Sequence, residues 1–219
     1  MLFPRIFRSL PRSSVRIDSE FKDKTSSMNP VVLVHGFLDT TAVFKPMSEY
    51  LNYHGWQVHS FNLIPNHGYE KLEVLAGQVE NYIEKNFAKE QKVDLIGFSM
   101  GGLITRYYLQ RLGGVARVQR YLNISAPNRG TLTAYSLPLD GIRQMQPGSQ
   151  FLEDLNKDCQ QILNKIKTTI IWTPYDLMIF PAHSSRLSVG KEISIPVLLH
   201  AWMVKDSKVL TTIKETLLE

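Results

Sequence analysis

The chain of 219 residues has a single cysteine, Cys159. That excludes an internal disulfide and any disulfide-stapled scaffold, and it permits a reducing compartment. Long apolar runs are also missing. The longest are strand-sized, well short of the ~20 residues that span a bilayer as a helix. Histidine, cysteine and carboxylate residues nowhere fall at zinc-ligand spacing, and no glycine-rich loop is placed to cradle phosphates. No metal and no organic cofactor is therefore expected. Charge of one sign is scarce in the body of the chain. Of the net +5, residues 1–27 hold six basic groups (Arg5, Arg8, Arg12, Arg16, Lys22, Lys24) against Asp18, Glu20 and Asp23. Residues 28–219 carry 19 basic and 17 acidic groups. A body so nearly neutral is not a nucleic-acid surface. Internal repeats and interdomain linkers are absent too.

What is there divides at about residue 28. Residues 1–27 read as a basic N-terminal extension without fixed structure. Leu2, Phe3, Ile6, Phe7 and Leu10 share one helical face, but Arg5 and Arg8 break the apolar centre that a signal peptide needs. A short amphipathic segment touching anionic lipid and a tail without a role both remain open. Met28 is a further candidate start, since patterned sequence begins just after it. Residues 28–219 are long enough for one self-sufficient core, and the 43% hydrophobic and 21% charged content is ordinary for a globular domain.

Within that domain strands and helices alternate. Pro30–Val34 is a short apolar run, a buried strand. Pro46–His54 has helical spacing, with proline in the first turn. Gln57–Leu63 alternates as a strand. Leu72, Leu75, Val79, Tyr82, Ile83 and Phe87 form a stripe of period 3.6. A strand from Val93 and a helix through Leu112 follow, the helix stopped by Gly113-Gly114. Further strands are expected at Val118–Ile124, Thr168–Trp172 and Pro196–Leu199. Asp206 suits the N-cap of a last helix. This alternation implies right-handed crossovers and a mostly parallel sheet with helices on both faces. Sites in such sheets lie at the strands' carboxyl ends.

The organising stretch is Gly97-Phe98-Ser99-Met100-Gly101, which fits G-x-S-x-G. Between a strand and a helix this pattern is a nucleophile elbow. The turn forces the serine into strained backbone geometry, so Gly97, Gly101 and Gly102 leave it room. A serine alcohol needs a base, and the base needs an acid to fix its tautomer. The order Ser…Asp…His on this architecture selects His200 as base and Asp176 as acid. Asp94 reads as structural, Asp206 as a cap, and Asp154 and Asp158 as parts of a helical stretch. His35 ends a strand but precedes the serine. The oxyanion hole needs two N–H donors. Met100 offers one at the helix start, and Phe37 the other, with Leu38 as fallback.

These residues together resemble the compact lipases of the α/β-hydrolase superfamily, and most of all the small triacylglycerol lipase-like proteins of cyanobacteria. The motifs that carry the resemblance are Val31-Val32-Leu33-Val34-His35-Gly36-Phe37-Leu38-Asp39-Thr40 and Asp94-Leu95-Ile96-Gly97-Phe98-Ser99-Met100-Gly101-Gly102-Leu103. Ser125-Ala126-Pro127, Gly130-Thr131, Asp176-Leu177-Met178-Ile179-Phe180-Pro181 and His200 complete it. The resemblance covers Pro30 to the last helix. It implies a Ser99–His200–Asp176 triad and hydrolysis of acyl esters of glycerolipids. Two features depart from it. Asn128-Arg129 stand where the lipase loop often has a histidine, and the segment after Pro127 is too short for a large lid domain.

Leu38, Leu177 and Met178, with Phe44, Ile179 and Phe180, are expected beside the site as apolar walls for an acyl chain. Leu132–Met145, with Tyr135, Leu137, Leu139, Ile142 and Met145, either roofs that pocket or packs on the sheet. An acyltransferase or thioesterase using the same triad is the rival enzyme, and a lipid- or partner-binding protein on the same fold is the rival from another class. An acyl lipid is the expected partner, with peripheral contact to a membrane surface as an option for a cytoplasmic protein. Oligomeric state leaves no mark in the sequence.

Overall fold

The short apolar runs become strands that all point the same way. A computed structural model describes residues 28–219, so the expectations for residues 1–27 lie outside the described residues. β1 (Val31–Val34), β2 (Val58–Ser60), β3 (Val93–Phe98), β4 (Val118–Ile124), β5 (Lys167–Trp172) and β6 (Lys191–Ser194) form one sheet in the order β2-β1-β3-β4-β5-β6. Every pairing is parallel. Parallel neighbours need crossovers, which helices supply. These are α1 (Lys45–Tyr53), α2 (Leu72–Asn86), α3 (Met100–Arg111), α4 (Asp140–Arg143), α5 (Gln150–Lys157), α6 (Cys159–Leu163) and α7 (Ser207–Leu218). The chain steps from β1 outward to β2, returns across β1 to lay down β3, and then builds only the other way. The reversal between β1 and β3 is the switch point at which such sheets place their sites.

Both faces of the sheet are buried. Val31, Leu33, Ile96, Phe98 and Leu122 pack with Met47 and Leu51 of α1 and Val209 and Ile213 of α7. Val32, Val34 and Leu95 pack with Leu75 and Val79 of α2 and Leu103 and Tyr108 of α3. Near-continuous apolar strands are what a doubly covered sheet requires. On α2 the stripe Leu72, Leu75, Ala76, Val79 and Ile83 is buried as its period predicts. Each large side chain so placed contributes about 1.5–3 kcal/mol relative to exposure. Asp206 caps α7 through the Lys208 and Val209 N–H groups. Asp94 is fully buried at the start of β3 and accepts from Arg120 and Asn29, a structural role.

Two strands differ from expectation. β2 stops at Ser60 instead of running to Leu63. Beyond it, the Leu63 N–H turns to His35 Nε2 and the Ile64 N–H to Gln78 Oε1, so the ladder ends. The last strand is β6, Lys191–Ser194, not Pro196–Leu199. The Ile195 N–H makes a last bond to Trp172 O; Pro196 then has no N–H to give, and the Val197 N–H turns to Thr173 Oγ1. Between β4 and β5 the chain forms a 3-10 turn at Leu132–Ser136 and the short helices α4, α5 and α6.

Candidate active site

Ser99 joins β3 to α3 with φ 56° and ψ −127°, a conformation that costs a non-glycine residue energy. Its neighbours hold it there. The Ser99 N–H donates to Ile124 O on β4 at 2.9 Å, and Ser99 O accepts from the Gly102 N–H at 2.9 Å. A methyl group on Gly101 would lie 2.3 Å from Val34 O, so only glycine lets the start of α3 press against the end of β1. Ser99 is thus raised at the sheet's carboxyl edge, partly exposed, on the N-terminus of a twelve-residue helix. The first N–H groups of that helix, Met100 among them, have no intrahelical acceptor.

Asp176 and His200 come together from loops beyond β5 and β6. The Asp176 carboxylate is buried. Its Oδ1 accepts from the Met178 N–H at 3.0 Å and the Ile179 N–H at 2.9 Å. Its Oδ2 lies 2.7 Å from His200 Nδ1. A carboxylate only accepts, so Nδ1 is assigned the proton and Nε2 keeps its lone pair. The His200 ring stacks on Phe98, the residue before Ser99, with centroids 4.8 Å apart. His200 opens a 3-10 turn, His200–Val204, where the sequence suggested the end of a strand.

The loop after β1 borders the serine. A methyl group on Gly36 would lie 2.9 Å from Ser99 Cβ, 3.3 Å from Ser99 Oγ and 3.2 Å from Asp39 Oδ2. Serine and carboxylate therefore flank one bare stretch of backbone. Buried His35 fixes that stretch. Its Nε2 accepts from the Leu63 N–H at 3.0 Å, which leaves Nδ1 to donate to Gly36 O at 2.9 Å. Burial lowers the His35 pKa, favouring the neutral ring that this pattern needs. Leu38 has φ 57°, and its N–H is taken by Asn66 O at 3.0 Å. The Phe37 N–H has no acceptor among the described residues. Of the two donors the sequence offered, Phe37 is the free one. The Asp39 carboxyl pKa is raised, chiefly by burial, against the attraction of His35, His200 and the Gly36 N–H.

The expected acyl-wall residues separate. Leu38, Leu177, Met178 and Phe180 are exposed at the loop tips, whereas Phe44 and Ile179 are core residues. Phe44 packs with Met47 and Leu51 beneath α1 and so cannot line a pocket. Ile142 and Met145 pack into the core, while Tyr135 and Leu137 face outward. A cleft of about 720 Å³ lined by Arg129, Cys159 and Leu187 touches none of Ser99, Asp176 and His200. Sequence reading assigned no role to Thr131, whose hydroxyl accepts from the Phe180 N–H at 2.9 Å and lies 3.0 Å from Met178 O. It also gave none to Asn128, which is fully buried and bonds Arg106, Asn123 and Ser185 O. Among the described residues no group of three or more His, Cys, Asp or Glu could hold a metal ion.

A strained serine, a histidine bonded to a buried carboxylate, and free backbone N–H groups are the parts of acyl-transfer chemistry. Human lysosomal thioesterase PPT2 is 33% identical over 111 residues, covering 48% of this chain and 36% of that protein. The chain thus spans about a third of the length of this curated relative. In fold it is similar to Bacillus licheniformis lipase BlEst2 in mature form, with a TM-score of 0.71 and 17% identity over 87% of this chain and 92% of that one. Aspergillus fumigatus lipase B gives 0.74 and 17% over 89% and 53%. The thioesterase domain from the curacin biosynthetic pathway gives 0.63 and 12% over 88% and 92%. Identities this low speak for the fold alone, and that fold is the lipase-like α/β hydrolase. The sequence model for palmitoyl protein thioesterase matches residues 30–176, from the edge of β1 through the elbow to Asp176. By that match, which takes in more than half of its length, the chain belongs to the palmitoyl protein thioesterase family.

Proposed function

We propose that the chain is a serine acyl hydrolase that cleaves long-chain acyl thioesters, with Ser99 as nucleophile, His200 as base and Asp176 as its partner. The observation that carries the reading is the 2.7 Å contact between His200 Nδ1 and Asp176 Oδ2, set against Phe98 beside the strained Ser99. Ser99 Oγ attacks the acyl carbonyl carbon while His200 Nε2 takes its proton. The oxyanion so formed is stabilised by the Met100 and Phe37 N–H groups, at ~3–4 kcal/mol per donor. Collapse breaks the C–S bond, and the leaving thiol takes the proton from His200. Water then attacks the acyl-enzyme, again with His200 as base, and the free acid leaves. The family match supports a thioester.

The same residues serve oxyesters. Glycerolipid hydrolysis, and with it the narrower likeness to triacylglycerol lipase-like proteins of cyanobacteria, is the second reading. Its support is the flank of the site: Leu38, Leu177 and Met178 are exposed loop residues, not the walls of a narrow slot.

Labelling with a fluorescent fluorophosphonate tests the first step. Wild type is expected to label, and Ser99→Ala and heat-denatured protein are not. Ser99→Ala should lower turnover by roughly 10³–10⁶-fold. Folded wild type that resists a small probe overturns the triad. A palmitoyl thioester and a palmitoyl oxyester of matched leaving group then separate the substrates. A tenfold higher kcat/KM for the oxyester puts the glycerolipid reading first.

A further inference from the structure

Exposed apolar side chains are not scattered over this molecule. Among the described residues every exposed large apolar side chain except Tyr53, Val74 and Leu218 follows the carboxyl end of a strand. Leu38 follows β1; Ile64 and Tyr69 follow β2; Leu132, Tyr135 and Leu137 follow β4. Tyr175, Leu177, Met178 and Phe180 follow β5, and Leu198, Leu199 and Trp202 follow β6. Because all strand pairings are parallel, these loops share one end of the sheet, the end that presents Ser99 and His200.

The loops are tied to one another. The Leu38 N–H donates to Asn66 O, the Gly141 N–H to Gly68 O and the Leu132 N–H to Phe180 O, while Thr173 Oγ1 donates to Val197 O. Their tips therefore form a fixed face. Residues 130–139, 177–185 and 195–204 contain no Lys, Arg, Asp or Glu, and the charges in the remaining loops and beside them are of both signs, among them Asp39, Glu70 and Lys71, with Lys205 over the Trp202 ring. Isolated exposed apolar residues are ordinary, but a contiguous set around a site marks an interaction surface.

We propose that this face docks on a zwitterionic phospholipid bilayer, with Leu177 and Leu198 among the inserted residues. Three observations select that occupant. Charge on and beside the face is sparse and of both signs, which gives no basis for a preference for anionic lipid. Tyrosines and a tryptophan stand among aliphatic tips, a mixture that sits well at the headgroup boundary. The face also surrounds the reactive serine, so docking brings an acyl chain from the bilayer to Ser99 without a passage through water. A second copy of the chain on this face would instead cover the site. The docking face does not depend on which acyl bond is cleaved.

The test uses full-length Ser99→Ala, so that binding is read apart from turnover. It is floated with phosphatidylcholine vesicles. Binding is expected, and 0.5 M NaCl should change it less than about twofold, since the contact is apolar. Leu177→Glu with Leu198→Glu should weaken partitioning about tenfold or more. Both positions are mostly exposed, at 74% and 63%, so the fold should persist, and thermal melting checks it. A second readout needs no change to these leucines. Trp202 is 41% exposed, Trp56 is buried, and Trp172 is half-buried between Glu192 and Arg186. Phosphatidylcholine with brominated acyl chains should quench emission in the parent protein and not in its Trp202→Phe variant.

Failure to float, or floating that both leucine changes leave intact, overturns the proposal. Binding that salt abolishes assigns attachment to surface charge and overturns it too. A concentration-dependent dimer that the leucine changes dissociate, without vesicle binding, gives the face to a second copy. Fluorophosphonate labelling of wild type is independent of all these outcomes.

Discussion

At the residue scale, a carboxylate beside Ser99 and His200 works in two directions. Partial burial holds the Asp39 pKa above its ordinary value of 3.8. The folded chain therefore binds this proton more tightly than the unfolded chain does. Stability is lost as pH rises through the folded pKa and regained as pH falls. Asp39→Asn, which mimics the protonated acid, should raise Tm at neutral pH by about 1–3 °C. The gain should vanish as pH falls below 3.8, where both states carry the proton. The difference between the two melting curves isolates this group from every other titration. A lower Tm for the variant, or a gap that ignores pH, contradicts the assignment. The same carboxylate attracts a protonated His200, the state formed as Ser99 gives up its proton. Asp39→Asn should therefore lose a few-fold in kcat/KM while gaining stability, as site residues commonly do. The turn at Ser99 and the approach of Asp176 to His200 could be expected from the sequence, because motif, chain order and predicted strand ends constrain them. The position of Asp39 could not, because only the folded loop sets it against Ser99.

At the element scale, the loop after β4 holds the loop that carries the acid. The Leu132 N–H bonds Phe180 O at 2.8 Å, the Thr133 hydroxyl donates to Met178 O at 2.7 Å, and Thr131 Oγ1 accepts from the Phe180 N–H. Asp176 Oδ1 is occupied by its own turn, so the direction of Oδ2 follows that of the whole loop. Thr131→Val keeps the side-chain shape and removes the hydroxyl. It takes the acceptor from the part-buried Phe180 N–H, at about 1 kcal/mol. We expect kcat to fall roughly 3–30-fold with little change in KM, and the pH–rate profile to shift as His200 loses a fixed partner. Thr131→Ser should restore both. A variant that only melts earlier, with an unchanged pH profile, assigns Thr131 to the fold alone. Elements whose pattern is local, such as α2 with its apolar stripe, could be read directly. β6 could not. Among the described residues it pairs only with β5, and it reads Lys-Glu-Ile-Ser, while the apolar run after Pro196 lies in a loop whose Leu198 and Leu199 are exposed.

At the scale of the whole molecule, the alternation of strands and helices was enough to place a parallel sheet and its reactive edge. It gave no account of how the segment between β4 and β5 is fastened to that sheet. Arg106 does this, and in the sequence it looks like any basic residue on a helix. On α3 it is fully buried, with no carboxylate among the described residues in hydrogen-bond contact. Its guanidinium donates to Gln110 Oε1 on the same helix and to Asn128 Oδ1 in the loop after β4. It also reaches Leu155 O and Asn156 Oδ1 on α5. Burial lowers its pKa, because desolvation disfavours the charged guanidinium. Replacing a whole buried ionic network by apolar groups can be neutral, whereas removing one partner leaves the rest unpaired. Arg106→Met removes one partner, so acceptors on two other segments lose their donor. It should destabilise by about 2–4 kcal/mol, or roughly 5–15 °C in Tm. Fluorophosphonate labelling well below that Tm should be nearly unchanged, because β3, the elbow and the His200–Asp176 pair rest on other contacts. If Arg106→Met melts with wild type, the segment is held by its apolar contacts through Phe151, Leu152 and Leu155 instead. If labelling fails while the fold persists, α3 and α5 are coupled to the elbow more tightly than these hydrogen bonds imply.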